Sequence, residues 1–92
     1  MRDEKFEWDD RKAGANLRKH GIAFDLARFA FDDTNAVEDL DDDIDEERVK
    51  LTGMANGRLL VIIYTMRDPR IRIVSARKAN PDEELRYFRL GA

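Results

Sequence analysis

The sequence contains no cysteine and a single histidine, His20. Without cysteine the chain has no disulfide scaffold, no thiol nucleophile and no cysteine zinc site. With one imidazole it has no histidine pair for acid–base catalysis and no histidine-rich metal cage. No apolar run approaches the roughly 20 residues of a membrane span, and the N-terminus lacks an apolar signal-peptide core. We therefore expect a cytoplasmic protein with no membrane partner.

Length and charge indicate one small, highly ionic domain. The 92 residues fit a single domain, residues 1–92, with one core between two layers. The charged fraction of 40% is well above the roughly 25% that is usual. The net charge of −3 is unevenly distributed, because residues 1–47 carry 16 acidic and 7 basic side chains and residues 48–92 carry 4 and 10. The total argues against a general nucleic-acid binder, whereas the C-terminal half alone has the charge of one.

Periodicity and turn residues predict an α+β domain. Leu59–Thr65 is apolar on both faces and predicts a central strand, preceded by an Asn-Gly hairpin turn. Asn80 and Glu83 form a capping-box pattern. The predicted elements are a strand at Phe6–Trp8, helices from Asp9 or Asp10 to Lys19 and from Phe24 to Phe31, strands at Thr34–Leu40, Arg48–Gly53, Leu59–Thr65 and Arg70–Arg77, and a last helix from Asn80 towards Phe88 or Leu90. We expect an antiparallel meander of about four strands, or five with the N-terminal segment, two N-terminal helices and one C-terminal helix.

Two features of the N-terminal helices are marked by single residues. Gly21 is expected to end the first helix. Ala23 stands where the second helix would favour a Ser or Asp cap, and the lack of such a cap typically costs about 1 kcal/mol.

An acidic run, Glu38–Glu47, raises the question of a metal site. An EF-hand loop that begins at Asp39 would need Gly at position 44 and Glu at position 50, where the sequence has Ile44 and Lys50. The register that begins at Asp41 fails in the same way. The run is then a solvated, mobile loop between strands, with loose binding of a divalent ion or mimicry of a phosphate as the alternatives.

The strand after Asp68-Pro69 carries arginines that strict alternation would place on both faces. Arg72 falls on the face of Val74, and Arg77 on the face of Ile73. Two interpretations stay open. The arginines face solvent or form salt bridges, or they form a guanidinium cluster on the sheet that binds a phosphate in a bidentate way.

Four further residues have both a structural and a chemical interpretation. Lys19 and His20 end the first helix, where cations are favoured by the helix dipole and a histidine packs beside the C-cap. Tyr87 lies one turn after Glu83 in the last helix, and it packs on the sheet or projects its hydroxyl into a site. The residue pattern alone does not decide between these interpretations.

Taken together, the residues resemble the BrnT family of ribonuclease toxins. The shared pattern consists of Phe6-x-Trp8-Asp9-x-x-Lys12, Asn16-x-x-Lys19-His20-Gly21-Ile22-x-Phe24, Phe31-Asp32, Arg48, Gly53, Val61-x-x-Tyr64-Thr65, Arg72-Ile73-x-Ser75-Ala76-Arg77 and Glu83-x-x-x-Tyr87. The resemblance extends over nearly the whole chain in the right order. It implies a RelE-like fold and metal-independent RNA cleavage that inhibits translation, without a cofactor. It also implies a BrnA-like antitoxin as partner, with operator DNA bound only through that antitoxin.

The resemblance suggests roles for the candidate residues. In metal-free cleavage the ribose 2′-OH attacks the adjacent phosphate, which requires a base, cations and an acid. His20 is one acid–base candidate, and either Glu83 or Tyr87 supplies the other proton-transfer group. The cations that stabilise the phosphate are Lys19, Arg72 and Arg77.

Two other functions and one surface complete the expectations. The chain is alternatively an inactive relative that binds the antitoxin and regulates the operon, or an unrelated interaction module whose arginines pair with the acidic run. For a toxin we expect an exposed apolar patch that the antitoxin covers, and self-association through that patch when the chain is alone. The candidates for it are Met54, Met66, Phe88 and Leu90.

Overall fold

A computed structural model of the protein describes residues 1–42 and 47–90. The elements in chain order are β1 (Phe6–Glu7), α1 (Asp10–His20), α2 (Phe24–Ala27), a 3₁₀ helix (Arg28–Asp32), β2 (Val37–Asp42), β3 (Glu47–Ala55), β4 (Arg58–Arg67), β5 (Arg70–Lys78) and α3 (Pro81–Leu90). In these residues no helix combines the length and the apolar composition that crossing a bilayer requires. The α+β class predicted from the sequence is confirmed.

The sheet has five strands in the order β1-β5-β4-β3-β2, so β4 is central, as its apolar sequence predicts. Three of the four pairings are antiparallel. β1 runs parallel to β5, with Phe6 opposite Ile71 and Glu7 opposite Arg72. The expected purely antiparallel meander is therefore wrong in this detail, and the sheet is mixed. A strand of two residues is too short for its sequence to indicate parallel or antiparallel pairing. Its Phe6 ring is buried in the core.

The hydrophobic core lies between one face of the sheet and the N-terminal helices. We call this the inner face of the sheet. Its buried side chains are Phe6, Trp8, Ile22, Phe24, Ala27, Ala30, Leu51, Ala55, Leu60, Ile62, Tyr64, Ile73 and Ala76. Helix α3 lies against the opposite, outer face, because its Glu83 contacts Lys50, the β3 residue next to the inward-facing Leu51.

Several local predictions are confirmed by backbone geometry. Gly21 ends α1 with a left-handed φ of 72°. Asn56 and Gly57 have φ of 50° and 80°, as a type I′ hairpin turn requires. No side chain caps the start of α2 at Ala23.

The second helix and the acidic run differ from expectation. Regular α2 ends at Ala27 and continues as a 3₁₀ helix, so the predicted single helix over 24–31 is wrong. The edge strand begins at Val37 rather than Thr34, after a turn closed by the Asp33 side chain. Residues 38–40 of the acidic run lie in the edge strand, as predicted, but the strand continues to Asp42 and Glu47 begins β3. The prediction of a loop is therefore wrong at these residues, and residues 43–46 lie outside the described part of the chain.

A bulge in β5 overturns the prediction that Arg72 and Arg77 face opposite sides. Tyr64 pairs with Ile73, but the preceding residue of β4 pairs with Ser75, which leaves Val74 as an extra residue. The alternation therefore shifts by one after Val74. Arg72 and Arg77, five positions apart, both lie on the outer face.

Asn16 joins α1 to the free edge of β5. Its side-chain amide donates to the carbonyl oxygens of Ala76 (2.8 Å) and Ile22 (2.9 Å) and accepts from the Ala76 N–H (3.1 Å). The buried Asn16 side chain thus makes the two backbone hydrogen bonds that a neighbouring strand would make to Ala76, beyond the end of β1.

We expect Asn16→Ala to lower the free energy of unfolding by about 2–4 kcal/mol, because it leaves the buried N–H and carbonyl of Ala76 without partners. Urea unfolding at neutral pH measures this loss. Asn35→Ala, at an exposed turn position, is the matched control and should change stability by no more than about 0.5 kcal/mol. Equal losses in the two variants would contradict the edge-pairing role of Asn16.

Candidate active site

The outer face of the sheet carries charged side chains beneath α3. Cross-strand pairing places Lys50 beside Ile63, and Arg77 beside Val61. Helix α3 begins at Pro81, shortly after β5 ends at Lys78. The three elements β3, β5 and α3 therefore deliver their polar side chains to one place.

The start of α3 is fixed by the predicted capping box. The Asn80 side chain accepts from the Glu83 N–H (2.8 Å), and the Glu83 Oε1 accepts from the Asn80 N–H (2.9 Å). Pro81 occupies the first helical position, where its missing N–H costs nothing. The Glu83 carboxylate is thus held in place by backbone before any cation is considered.

Glu83 binds two cations with the same carboxylate. Arg77 donates from Nη1 to Oε1 (2.7 Å) and from Nη2 to Oε2 (2.9 Å), and Lys50 Nζ lies 2.6 Å from Oε2. Glu83 is 9% exposed, whereas the Arg77 and Lys50 side chains are 37% and 32% exposed. We call Lys50, Arg77 and Glu83 the Glu83 cluster. Its anion is buried and its cations reach solvent.

The electrostatics of the Glu83 cluster favour a net positive charge. The Arg77 hydrogen bonds, supported by the Asn80 N–H and Lys50, outweigh burial and lower the pKa of Glu83 to about 2. The same hydrogen bonds raise the pKa of Arg77. With one anion and two cations, the cluster carries one positive charge at neutral pH. An arginine and a lysine have more N–H donors than one carboxylate occupies, so an anion arriving from solvent finds donors.

Tyr87 follows Glu83 by one turn and makes a second buried contact. Its hydroxyl donates to Asp33 Oδ2 (2.6 Å), which also accepts from the Met54 N–H (2.8 Å). Burial, followed by this hydrogen bond to a carboxylate, raises the pKa of Tyr87 to about 12. Burial opposes ionisation of Asp33, but its three hydrogen-bond donors outweigh that effect and lower its pKa. At neutral pH Tyr87 holds its proton and Asp33 is ionised.

Arg72 lies on the same face as the Glu83 cluster, further along β5. Its Nη1 donates to Glu7 Oε2 (2.6 Å), and its side chain is 29% exposed. Asp9 is also close enough for its carboxyl pKa, lowered mainly by backbone hydrogen bonds at the start of α1, to be influenced by Arg72. The two predicted arginines share a face but have separate carboxylate partners.

Lys19 and His20 are not in contact with the Glu83 cluster. In residues 1–42 and 47–90 neither side chain forms a hydrogen bond or an ion pair. Asn16 fixes α1 beside Ala76, and the next helical turn rises about 5.4 Å, less than two residues of strand. Lys19 and His20 belong to that next turn, at the C-terminal end of α1.

The structure brings together Arg77, Glu83 and Tyr87 of the predicted residues and adds two that the sequence analysis missed. Lys50 alternates with Val49 and Leu51, so its outward orientation could be read from the sequence, but not which helix covers that face. Asp33 belongs to no motif in the sequence, because it lies in a turn and its partners Met54 and Tyr87 are distant along the chain. A further contact, Arg86 Nη1 to Asp39 Oδ2 (2.6 Å), holds α3 to β2.

Comparison with known families matches residues 8–83 to a family model described as the ribonuclease toxin, BrnT, of type II toxin–antitoxin systems. The matched range includes the whole Glu83 cluster and ends before Tyr87. No curated protein sequence matches the chain.

The low pKa of Glu83 predicts a pH-dependent contribution to stability. Its pKa falls from 4.5 to about 2 on folding, so the contribution is fully present above about pH 4.5 and is lost as the pH falls through about 2. We expect Glu83→Gln to cost about 2–3 kcal/mol at neutral pH, after allowance for the solvent-exposed cations, and progressively less towards pH 2.

Denaturant unfolding of the wild type and Glu83→Gln at a series of pH values checks this. Glu84→Gln changes the neighbouring, exposed residue of α3 and is the matched control. A loss in Glu83→Gln that stays constant from pH 7 to pH 2.5 would show that the carboxylate charge contributes nothing.

Proposed function

Because the chain belongs to the BrnT family of ribonuclease toxins of type II toxin–antitoxin systems, we propose that it cleaves RNA without a metal ion and thereby inhibits translation. The observation that carries this proposal is the Glu83 cluster. Two solvent-accessible cations from different strands are aimed by one buried carboxylate. Family membership also excludes the alternative of an unrelated interaction module.

The proposed reaction is attack by a ribose 2′-oxygen on the neighbouring phosphorus. The 2′-hydroxyl loses its proton to a base, the bond from phosphorus to the 5′-oxygen breaks, and an acid protonates that oxygen. The products are a 2′,3′-cyclic phosphate and a 5′-hydroxyl. Negative charge increases on the phosphoryl oxygens in the transition state, and cations positioned in advance lower the barrier most effectively.

Lys50 and Arg77 are the residues we propose for that electrostatic role. Their positions follow from two devices, the bulge in β5 that turns Arg77 outward and the capping box that fixes Glu83. Glu83 then acts as a positioning residue. A carboxyl with a pKa of about 2 is a weak base at neutral pH, so Glu83 is not the base of the proposed reaction.

Tyr87 and His20 are the proposed proton-transfer groups. Tyr87 retains its proton at neutral pH, since its pKa is about 12, and rotation of its O–H bond directs that proton from Asp33 towards an approaching oxygen. His20 is the last residue of α1, and Lys19 beside it adds positive charge. We propose that the scissile phosphate lies between this helix end and Arg77.

The antitoxin is the proposed partner of the outer side of α3. Of the four predicted apolar candidates, Phe88 and Leu90 lie on α3 and are exposed by 55% and 63%. Met66, near the end of β4, is exposed by 51%, whereas Met54 in β3 is half-buried. Leu85, three residues before Phe88 on the same helix, is exposed as well. A helix with apolar side chains on its solvent side is the usual docking surface for a partner segment. Contact with operator DNA then occurs through the antitoxin. Self-association of the lone chain through this surface remains a prediction.

One observation favours the alternative of an inactive relative. Glu83 already occupies Arg77 in the bidentate manner in which a phosphate would bind it. If a substrate cannot use the remaining donors of Arg77 and Lys50, the protein retains only its antitoxin-binding and regulatory role.

Incubation of the purified chain with cellular RNA in the presence of a chelator distinguishes the two functions. We expect cleavage by the wild type and a loss of about 10²–10³-fold in Arg77→Ala, because one transition-state cation is removed. Arg11→Ala, which removes an exposed cation from α1, should cleave like the wild type.

Circular dichroism and thermal unfolding of the same samples verify that Arg77→Ala is folded. Cleavage by Arg77→Ala at the wild-type rate would contradict the assignment of Arg77. Cleavage that stops when the chelator is added would contradict the metal-independent mechanism.

A further inference from the structure

The bulge at Val74 has a second consequence for the outer face. It places Arg72 in line with Arg77, five positions along the same strand. At about 3.3 Å per residue, less the shortening at the bulge, the two Cα atoms are about 15 Å apart. Bulges are over-represented next to active sites, where they redirect a side chain. Here one extra residue puts the guanidinium of Arg77 on the same face as that of Arg72.

The surface between the two arginines is partly open. Ser75 lies between them on β5, and its cross-strand neighbour Ile63 lies beside it; both side chains are half-exposed. The strip therefore offers a hydroxyl and an aliphatic surface between two cations. This combination suits a single strand, whose unpaired bases rest on a sheet while its phosphates contact arginines.

The spacing corresponds to nucleotides rather than to one phosphate. A nucleotide contributes six backbone bonds where an amino acid contributes three, so an extended strand advances about 7 Å per nucleotide, twice the residue value. About 15 Å is then about two nucleotides. Because Glu7 holds the Arg72 guanidinium and Glu83 holds that of Arg77, the two groups keep separate positions, and Arg72 is placed for another phosphate of the same strand.

We propose that Arg72 is a second phosphate-binding position for single-stranded RNA, about two nucleotides from the phosphate held by the Glu83 cluster. Glu7 holds the guanidinium outward through one N–H of Nη1, which leaves other donors for a phosphate. This inference rests on the proposed ribonuclease function and extends it to the length of substrate that the protein recognises.

The test compares synthetic oligoribonucleotides of two to six nucleotides as substrates in chelator. For the wild type, kcat/KM should rise about 10-fold once a substrate has a phosphate that reaches Arg72. Arg72→Ala should lack this rise, so that its kcat/KM is about the same for every substrate length. Arg58→Ala, an exposed arginine at the start of β4, is the matched control and should keep the full length dependence.

Glu7→Gln separates this role from a structural one. If Arg72 binds phosphate, freeing it from Glu7 preserves or increases the length dependence. If Arg72 serves only to attach β1 through Glu7, both variants lower cleavage of all lengths equally, which overturns the proposal. An unchanged length dependence in Arg72→Ala also overturns it.

Failure of the ribonuclease function gives a different result, namely no cleavage of any RNA by the wild type. The Arg72 position is then tested by binding, using fluorescence polarisation of labelled 2′-deoxy oligonucleotides of the same lengths, which cannot undergo 2′-OH attack. A 10-fold loss of affinity in Arg72→Ala for the longer oligonucleotides alone supports the phosphate position. Equal affinity of Arg72→Ala and wild type at every length overturns it.

Discussion

The carboxylate of Glu83 is the contact on which the outer face of this protein depends. It accepts from the Asn80 backbone, binds Arg77 through both oxygens and approaches Lys50, all while nearly excluded from solvent. A buried charge is tolerated only with such complete pairing. One side chain therefore starts α3, attaches it to β3 and β5, and holds two cations that reach solvent.

Two departures from regular backbone pairing define the rest of the candidate site. The bulge in β5 moves Arg77 from the inner face, where it would be buried among apolar side chains, to the outer face. Beyond the end of β1, Asn16 replaces a strand along the same edge and fixes the direction of α1. Lys19 and His20 lie at the end of that helix, one turn beyond Asn16. Two local irregularities thus decide which face Arg77 occupies and where α1 lies.

Much of the fold could be predicted from local sequence signals, whereas the site could be predicted only in part. Turns and helix ends involve only a few neighbouring residues, so the sequence shows their patterns directly. Examples are Gly21, the turn at Asn56 and Gly57, and the Asn80 capping box. The bulge and the parallel β1 result from long-range burial, and no short pattern records them. Arg77, Glu83 and Tyr87 were found because the family resemblance includes them. Lys50 and Asp33 become visible only when α3 is placed on the sheet.

The acidic composition of the edge strand β2 has a consequence for how copies of this chain meet. Four of its six residues are acidic, Glu38, Asp39, Asp41 and Asp42. An uncovered strand is a template for another copy, but two such strands side by side would repel each other. At the opposite border, the outer edge of β1 is already paired with the N-terminal residues through the Arg2–Glu7 bridge, and Asn16 covers β5 beyond β1. Fibril-like polymerisation through main-chain pairing is therefore disfavoured at both ends, even when the apolar side of α3 is unoccupied.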